Sequence, residues 1–200
     1  MLDATLCVLA GGESRRMGRP KALLEVGDGS LLAWIVGRLS AHFAETLVAA
    51  GSPDSGVPAS PAFRLVYDLH RGLGPLAGIE AALAAARAET VFAVACDMPR
   101  VTPELAGLLV AAAEGFDAAV PRVAGRSEPA CAAYRRSAAG PIAAALGGGR
   151  LRAGEVLAEL KVRYLEEPEL ASVGASALSF ANLNTPADYE EFLAGVRAQG

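Results

Sequence analysis

The sequence predicts an α/β domain built around a mainly parallel sheet, with helices on both faces. Three observations lead there. Short apolar runs of strand length alternate along the 200 residues with longer stretches of helical periodicity, which is the pattern of strand–helix–strand units. Parallel strands need crossovers, and right-handed crossovers distribute the helices to both sides. The ends of the apolar runs carry Gly11-Gly12, Gly51, Asp68, Asp97 and Asn182. In open α/β sheets ligands bind beyond the carboxyl ends of the strands, and glycines, acids and an amide gathered there suit a nucleotide with a metal ion.

The elements follow in order. ATLCVLA (4–10), closed by Gly11-Gly12, reads as a buried strand. SLLAWIVGRLSAHF starts on Ser30, a good N-cap, and spaces Leu31, Ile35 and Leu39 four apart, as an amphipathic helix does. TLVAAG (46–51) and FRLVYD (63–68) are short strands on either side of SPDSGVPASPA, a surface loop. GPLAGIEAALAAARA is a helix with Pro75 in its first turn. TVFAVACD (90–97) is a strand ending on a carboxylate. The next helix takes Thr102 as cap and Pro103 as first residue, and stops at Gly115. DAAVP is a strand, EPACAAYRR a strand leading into the helix SAAGPIAAAL, and GEVLAELKVRYLEE a helix followed by a strand. FANLNTPADYEEFLAGVRA is a strand end, a helix start at Thr185-Pro186 and a closing helix. No repeat or linker divides the chain, so residues 1–200 are expected to form one domain.

A net charge of −4 argues against a general nucleic-acid binder. No apolar run approaches the ~20 residues of a membrane span. MLDATLCVLAGG has no basic leader region, so a cytoplasmic location is expected. The three cysteines, Cys7, Cys96 and Cys131, form no C-x-x-C pair. A disulfide framework or a zinc site is therefore not expected, and Cys7 and Cys96 read as small buried hydrophobes.

The charge distribution is uneven. In LAGGESRRMGRPKALL (9–24), Arg15, Arg16, Arg19 and Lys21 stand against Glu13 alone, and the chain has one other lysine, Lys161. This loop is neither G-x-x-x-x-G-K-[ST] nor G-x-G-x-x-G, so a P-loop and an ordinary dinucleotide fold are unsupported. Its chemistry still suits phosphate. Gly11 and Gly12 let backbone N–H groups approach a ligand, Arg16 and Lys21 offer charge-assisted hydrogen bonds, and Gly18 can turn the chain. A solvated arginine-bearing loop is the alternative.

LAGGESRRMGRPKALL, followed in order by YDLHRGLGPLAGI (67–79), ACDMP (95–99) and NLNTPADY (182–189), resembles the signature of the MobA-like nucleotidyltransferases, and among them the molybdenum cofactor guanylyltransferases. The motifs span nearly the whole chain. The resemblance implies a three-layer α/β/α Rossmann-like nucleotidyltransferase fold, with an N-terminal nucleotide-binding half and a C-terminal acceptor-binding half. It implies transfer of GMP from GTP to the terminal phosphate of molybdopterin, with release of pyrophosphate and use of Mg²⁺. Relatives that use CTP typically carry LAAG where this chain has Leu9-Ala10-Gly11-Gly12, and usually lack GPLAG at 74–78.

Residue by residue, the resemblance implies that Leu9, Ala10, Gly11 and Gly12 cradle the nucleotide, that Lys21 with help from Arg16 contacts the triphosphate, and that Asp97 holds Mg²⁺. An aspartate at a strand end is also the hard oxygen ligand this ion takes, although it could instead cap the next turn. Asp68 matches a nucleotide-contacting acid, with an Asx turn as the alternative. Gly74 and Gly78 would let the backbone pass close to the nucleotide, or Gly78 could serve helix packing. Asn182 and Asn184 match the pterin side, where amides suit a donor–acceptor edge, or they shape the turn before Thr185. Arg152, and more loosely Arg150, align with a pterin-phosphate contact. Gly51 stands where some members have asparagine, and Glu128 occupies a variable slot. His42 and His70 show no catalytic partner in sequence. The competing expectations are a same-fold enzyme using CTP or another acceptor, and a non-catalytic carrier serving molybdoenzymes or their chaperones. Lys21 together with Asp97 favours an enzyme.

Overall fold

The computed structural model describes residues 1–11, 20–70, 72–150 and 152–198. The strand β1 (Leu2–Leu9) leads to a small antiparallel hairpin, β2 (Glu25–Val26) and β3 (Gly29–Ser30), and then to helix α1 (Leu31–Leu39). There follow β4 (Phe43–Ala49), β5 (Arg64–Val66), α2 (Pro75–Ala85), β6 (Thr90–Ala95), α3 (Pro103–Ala112), β7 (Ala118–Val123), β8 (Arg126–Ser127) and β9 (Cys131–Arg135). The chain closes with α4 (Ala139–Gly147), α5 (Ala153–Leu157), β10 (Val162–Leu165), α6 (Glu167–Ala171) and α7 (Pro186–Arg197).

The main sheet has the order β10-β7-β9-β6-β1-β4-β5, with β8 paired to β7. β1 runs parallel to both β4 and β6, β4 parallel to β5, and β7 parallel to β10, whereas β9 runs antiparallel to β6 and β7. The chain builds outward from β1 through β4 to β5, and then α2 carries it back to the other side of β1. That reversal opens a crevice at the carboxyl ends of β1 and β6, where open α/β sheets bind ligands.

Both faces of the sheet are covered, which is why the central strands are apolar without alternation. Leu6 and Val8 of β1 pack with Leu32, Ile35 and Leu39 of α1 and with Leu105 and Leu109 of α3. Cys7 and Leu9, pointing the other way, pack with Leu76, Ile79 and Leu83 of α2 and with Ile142 and Leu146 of α4. Thr5 is buried, and its hydroxyl donates to Glu45 at 3.0 Å, so the polar group is satisfied.

The caps read from sequence are formed. Ser30 accepts from the Ala33 amide at 3.2 Å, and Thr102 from the Leu105 amide at 3.3 Å. Thr185 and Asp188 form a reciprocal capping box at the start of α7. The expected strand end in FANLNTP is not there. Ala177–Phe180 is a 3₁₀ turn, and the backbone after it docks on the sheet through one bond, Leu183 N–H to Asp97 C=O at 2.9 Å. The β2–β3 hairpin, β8 and α6 have no counterpart in the sequence reading. Each is five residues or shorter, below the length at which periodicity shows.

Candidate functional site

A cavity of about 450 Å³ opens at the crevice. Its floor is the end of β1, Leu9, Ala10 and Gly11, with Ala49 of β4 and Ala95, Cys96 and Asp97 at the end of β6. Asp68, Gly74 and Gly78 form one wall, Lys21 another, and Asn182 and Asn184 a third. Leu9, Ala10, Gly11, Lys21, Asp68, Gly74, Gly78, Asp97, Asn182 and Asn184, marked by the sequence as nucleotide- or acceptor-binding, thus line one cavity. Gly12 and Arg16, with Arg15, Gly18 and Arg19, lie outside the described residues.

The ends of β1, β4 and β6 are held in register by ladder-like bonds, Ala10 N–H to Ala49 C=O at 2.8 Å and Cys96 N–H to Leu9 C=O at 3.0 Å. The need for glycine at position 11 comes from the neighbouring chain. A Cβ there would lie 2.7 Å from the Gly51 nitrogen and 2.8 Å from its Cα, and backbone cannot yield as a side-chain tip can. Gly51 itself has φ +73°, and its carbonyl accepts from the Asp68 amide at 3.1 Å. Asparagine is among the side chains that best tolerate that backbone region. Gly78 is a packing glycine as well as a lining residue. A Cβ on it would come within 3.0 Å of Leu9 Cδ2 and 3.1 Å of Ala49 Cβ, so its absence lets α2 seat on β1 and β4.

Lys21 sits on a short 3₁₀ turn, Lys21–Leu23, with Ala22 buried beneath it. Its ammonium donates to Asp97 Oδ2 at 2.8 Å and to Asn184 Oδ1 at 2.9 Å. Three segments more than seventy residues apart in sequence meet in that one cluster. Asn184 is held from behind, because Asp188 Oδ2 accepts from the Asn184 amide at 2.9 Å and from the Thr185 amide at 2.8 Å. Those backbone bonds hold the Asp188 carboxyl below the usual carboxylate range. Leu183, fully buried between Leu24, Leu31 and Phe192, anchors the same loop.

Asp68 is half-buried at the end of β5. Burial first, and the nearby Glu80 carboxyl second, push its pKa up to about 6. Glu80 is 5% exposed and meets His70 Nδ1 at 2.9 Å. His70, which shows no catalytic partner in sequence, thus meets a buried carboxylate from α2 while its side chain stays partly exposed. Glu80 was missed because it sits in an alanine-rich helix where nothing local marks it. Glu128 also lines the cavity, and burial raises its pKa. Its signal, the proline after it in EPACAAY, was visible but ambiguous.

Arg152 and Arg150 are not among the cavity residues. Arg152 reaches Glu155 at 3.5 Å, and Arg150 pairs with Glu159, so the loose alignment to a pterin phosphate finds no support in their placement. Cys96, in the cavity floor, has its thiol pushed up to about 12 by burial, which leaves it no thiolate nucleophile.

The donor set fits Mg²⁺. That ion is commonly held by one or two carboxylates together with substrate phosphates and water. Asp97 supplies one carboxylate, its Oδ1 takes no hydrogen bond from the described residues, and Asn184 adds an amide oxygen beside it. Among the described residues no group of three or more His, Cys, Asp or Glu could hold a metal ion, so these residues form no dedicated metal cage.

An open, mainly parallel sheet with a cavity at the reversal of strand order defines a doubly wound α/β protein with its candidate ligand site at the strand carboxyl ends. The chain belongs to the MobA-like NTP transferase domain family, whose model matches residues 6–164. It is 39% identical to a probable molybdenum cofactor guanylyltransferase of Pelotomaculum thermopropionicum, over 94% of this chain and 91% of that one. It is 32% identical to the molybdenum cofactor guanylyltransferase of Syntrophotalea carbinolica, over 92% and 88%. The crystal structure of molybdopterin-guanine dinucleotide biosynthesis protein A from Archaeoglobus fulgidus superposes with a TM-score of 0.84 at 28% identity, covering 98% of this chain and all of that one. No described helix is long and apolar enough to cross a membrane.

Proposed function

We propose that the protein transfers GMP from GTP to the terminal phosphate of molybdopterin, releasing pyrophosphate and forming the guanine dinucleotide of the cofactor. The observation that carries this reading is the Lys21–Asp97–Asn184 cluster in the cavity. Lys21 reaches both Asp97 and Asn184 there, and in this reading the three are phosphate-binding cation, metal ligand and acceptor-side amide. The names of the relatives supply the substrates.

In this reading an oxygen of the acceptor phosphate bonds to the α-phosphorus of GTP. The bond from that phosphorus to the bridging oxygen breaks, and pyrophosphate leaves with the electron pair. Such a transfer asks the protein for positioning and charge neutralisation. Lys21, with Arg16, supplies fixed positive charge along the triphosphate. Asp97 holds Mg²⁺, which when bound neutralises phosphate oxygens and lowers their repulsion of the incoming acceptor. Leu9, Ala10, Gly11 and Gly12 pass close under the nucleotide, and Asp68 accepts hydrogen bonds from it. Asn182 and Asn184 offer the pterin amide N–H donors, and Asn182 also its carbonyl oxygen as an acceptor. The N-terminal half therefore serves the nucleotide and the C-terminal half the acceptor. Three buried, unpaired thiols suit the reducing cytoplasm, where the product would pass to a molybdoenzyme or its chaperone.

The test is pyrophosphate release by the purified protein with Mg²⁺ and molybdopterin, offered GTP and CTP in parallel. Release with GTP alone is the expected result. Release with CTP alone overturns the choice of base, and silence with both while GTP binds tightly favours the non-catalytic carrier.

A further inference from the structure

The loop that carries Asp68 is tied to α2 by a contact that neither the triphosphate nor the acceptor chemistry uses. Glu80, almost wholly buried on α2, holds His70 Nδ1 at 2.9 Å, while the His70 side chain is 38% exposed. His70 follows Asp68 by two residues in the same loop. Asp68 Oδ1 lies over α2 as well, 3.7 Å from where a Cβ on Gly78 would stand. The Asp68 side chain takes no hydrogen bond from the described residues, yet it is half-buried. Among the described residues a carboxyl so placed finds no donor for its charged form, and a ligand N–H or O–H group can supply one.

We propose that Glu80 and His70 are positioning residues for Asp68: their contact clamps the Asp68 loop onto α2, and the Glu80 charge governs when Asp68 is ready to accept hydrogen bonds from the nucleotide. The inference rests on the reading of the cavity as a GTP site. The clamp sets the direction of the Asp68 carboxyl, and so acts on nucleotide affinity more than on the transfer step. The Glu80 charge acts on its protonation. Burial and Glu80 together raise the Asp68 pKa to about 6, so GTP should be held well above that pH and poorly below it. Among the described residues the other ionisable groups near Asp68 include Tyr67 and His70 in its own segment and Cys7 of β1, whose thiol is pushed up to about 12. Lys21, Asp97 and Glu128 line the same cavity.

Two measurements on the full-length protein test this. The first is the titration of the Asp68 carboxyl carbon by NMR without nucleotide, in the native protein and in Glu80→Gln, with Asp68→Asn to assign the signal. The second is the pH dependence of kcat and of KM for GTP in pyrophosphate release. In Glu80→Gln the Asp68 midpoint should fall by about one pH unit, and the acid limb of the KM profile should fall with it. His70→Ala, at a partly exposed position, should raise KM for GTP about fivefold at ~pH 8, the scale of one hydrogen bond, with a smaller change in kcat. An unmoved midpoint in Glu80→Gln overturns the inference, and so does a His70→Ala enzyme with the native KM. Should Glu80→Gln fail to fold, the His70→Ala result decides alone. Should the native protein release no pyrophosphate from GTP, the proposed function fails, and the NMR midpoint by itself supports or overturns the Glu80–Asp68 coupling.

Discussion

Lys21 and Asp97 stand 2.8 Å apart, Nζ to Oδ2, with side chains only 17% and 20% exposed. One arrives on a short turn after the glycine-rich loop and the other at the carboxyl end of β6, so only the folded sheet brings them together. Paired, the two charges compensate each other in the free protein. A triphosphate with its metal ion offers each a stronger partner, phosphate oxygens for the ammonium and a divalent cation for the carboxylate. Asp97→Asn should keep the fold, because the amide still accepts from Lys21, and should abolish most Mg²⁺-dependent turnover. Near-native pyrophosphate release by that variant would remove Asp97 from the mechanism.

Under the proposed function, Lys21→Ala would remove a charged hydrogen bond to the triphosphate, and it takes from Asp97 the ammonium that it contacts. We expect kcat/KM for GTP to fall by about 1.5–3 kcal/mol in transition-state terms, the range for a charged hydrogen bond. Steady-state kinetics at saturating acceptor measure it, and an unchanged kcat/KM would make Lys21 a bystander.

Removing divalent cations should separate function from stability. Among the described residues Asp97 is the one carboxylate that Lys21 contacts, and no group of three or more His, Cys, Asp or Glu could hold a metal ion. Chelation should therefore stop pyrophosphate release while leaving the thermal midpoint of the nucleotide-free protein unchanged. A large loss of thermal stability in chelator would mean that the chain holds a structural metal.

Gly11→Ala tests the close approach of two chain segments. The added methyl would meet the Gly51 backbone at 2.7 Å, forcing the end of β1 away from the loop after β4. A cost of about 1–3 kcal/mol, as for overpacked cores, should appear in denaturant unfolding, together with weaker GTP binding. Native stability in the variant would show that the two segments can part freely.

Asp68→Asn should make the protein more stable at neutral pH. Folding raises the Asp68 pKa from the ordinary carboxylate value to about 6. At a pH below the ordinary value both states are protonated and the group contributes nothing. As pH rises between the two values the unfolded chain releases its proton first, so the folded state loses stability, and above about 6 the penalty is constant. Asparagine removes it. The gain, on the order of 1 kcal/mol after allowing for solvent screening, should be present at ~pH 7.5 and vanish at ~pH 3.5. Unfolding curves at the two values check both the size and the sign.

The three thiols should resist alkylation in the native protein. Cys7, Cys96 and Cys131 are unpaired and buried, and burial pushes Cys7 and Cys96 up to about 12 and Cys131 upward as well. Mass spectrometry after iodoacetamide should find little label under native conditions and three labels in denaturant. Rapid native labelling at Cys96 would show that the cavity floor opens.

What the sequence determined by itself is local in origin. Ser30, Thr102 and Thr185 cap their helices through side chains acting over three residues, and the apolar runs at β1, β4 and β6 announce strands buried on both faces. The ordered motifs were enough to mark Lys21, Asp68, Asp97, Asn182 and Asn184, since each motif is contiguous. Tertiary structure alone decided how they meet. Asn182 was assigned to a strand end, yet it lies on a loop pinned to the sheet by one bond from Leu183 to the Asp97 carbonyl. Gly11 owes its lack of a side chain to Gly51, forty residues on, and Gly78 owes its own to Leu9 and Ala49. Glu80, in a run of alanines, has meaning only because α2 packs where the Asp68 loop returns, so that one buried carboxylate faces both His70 and Asp68. Close approach, burial and charge coupling depend on distances through space, and those exist only once the sheet has closed its register.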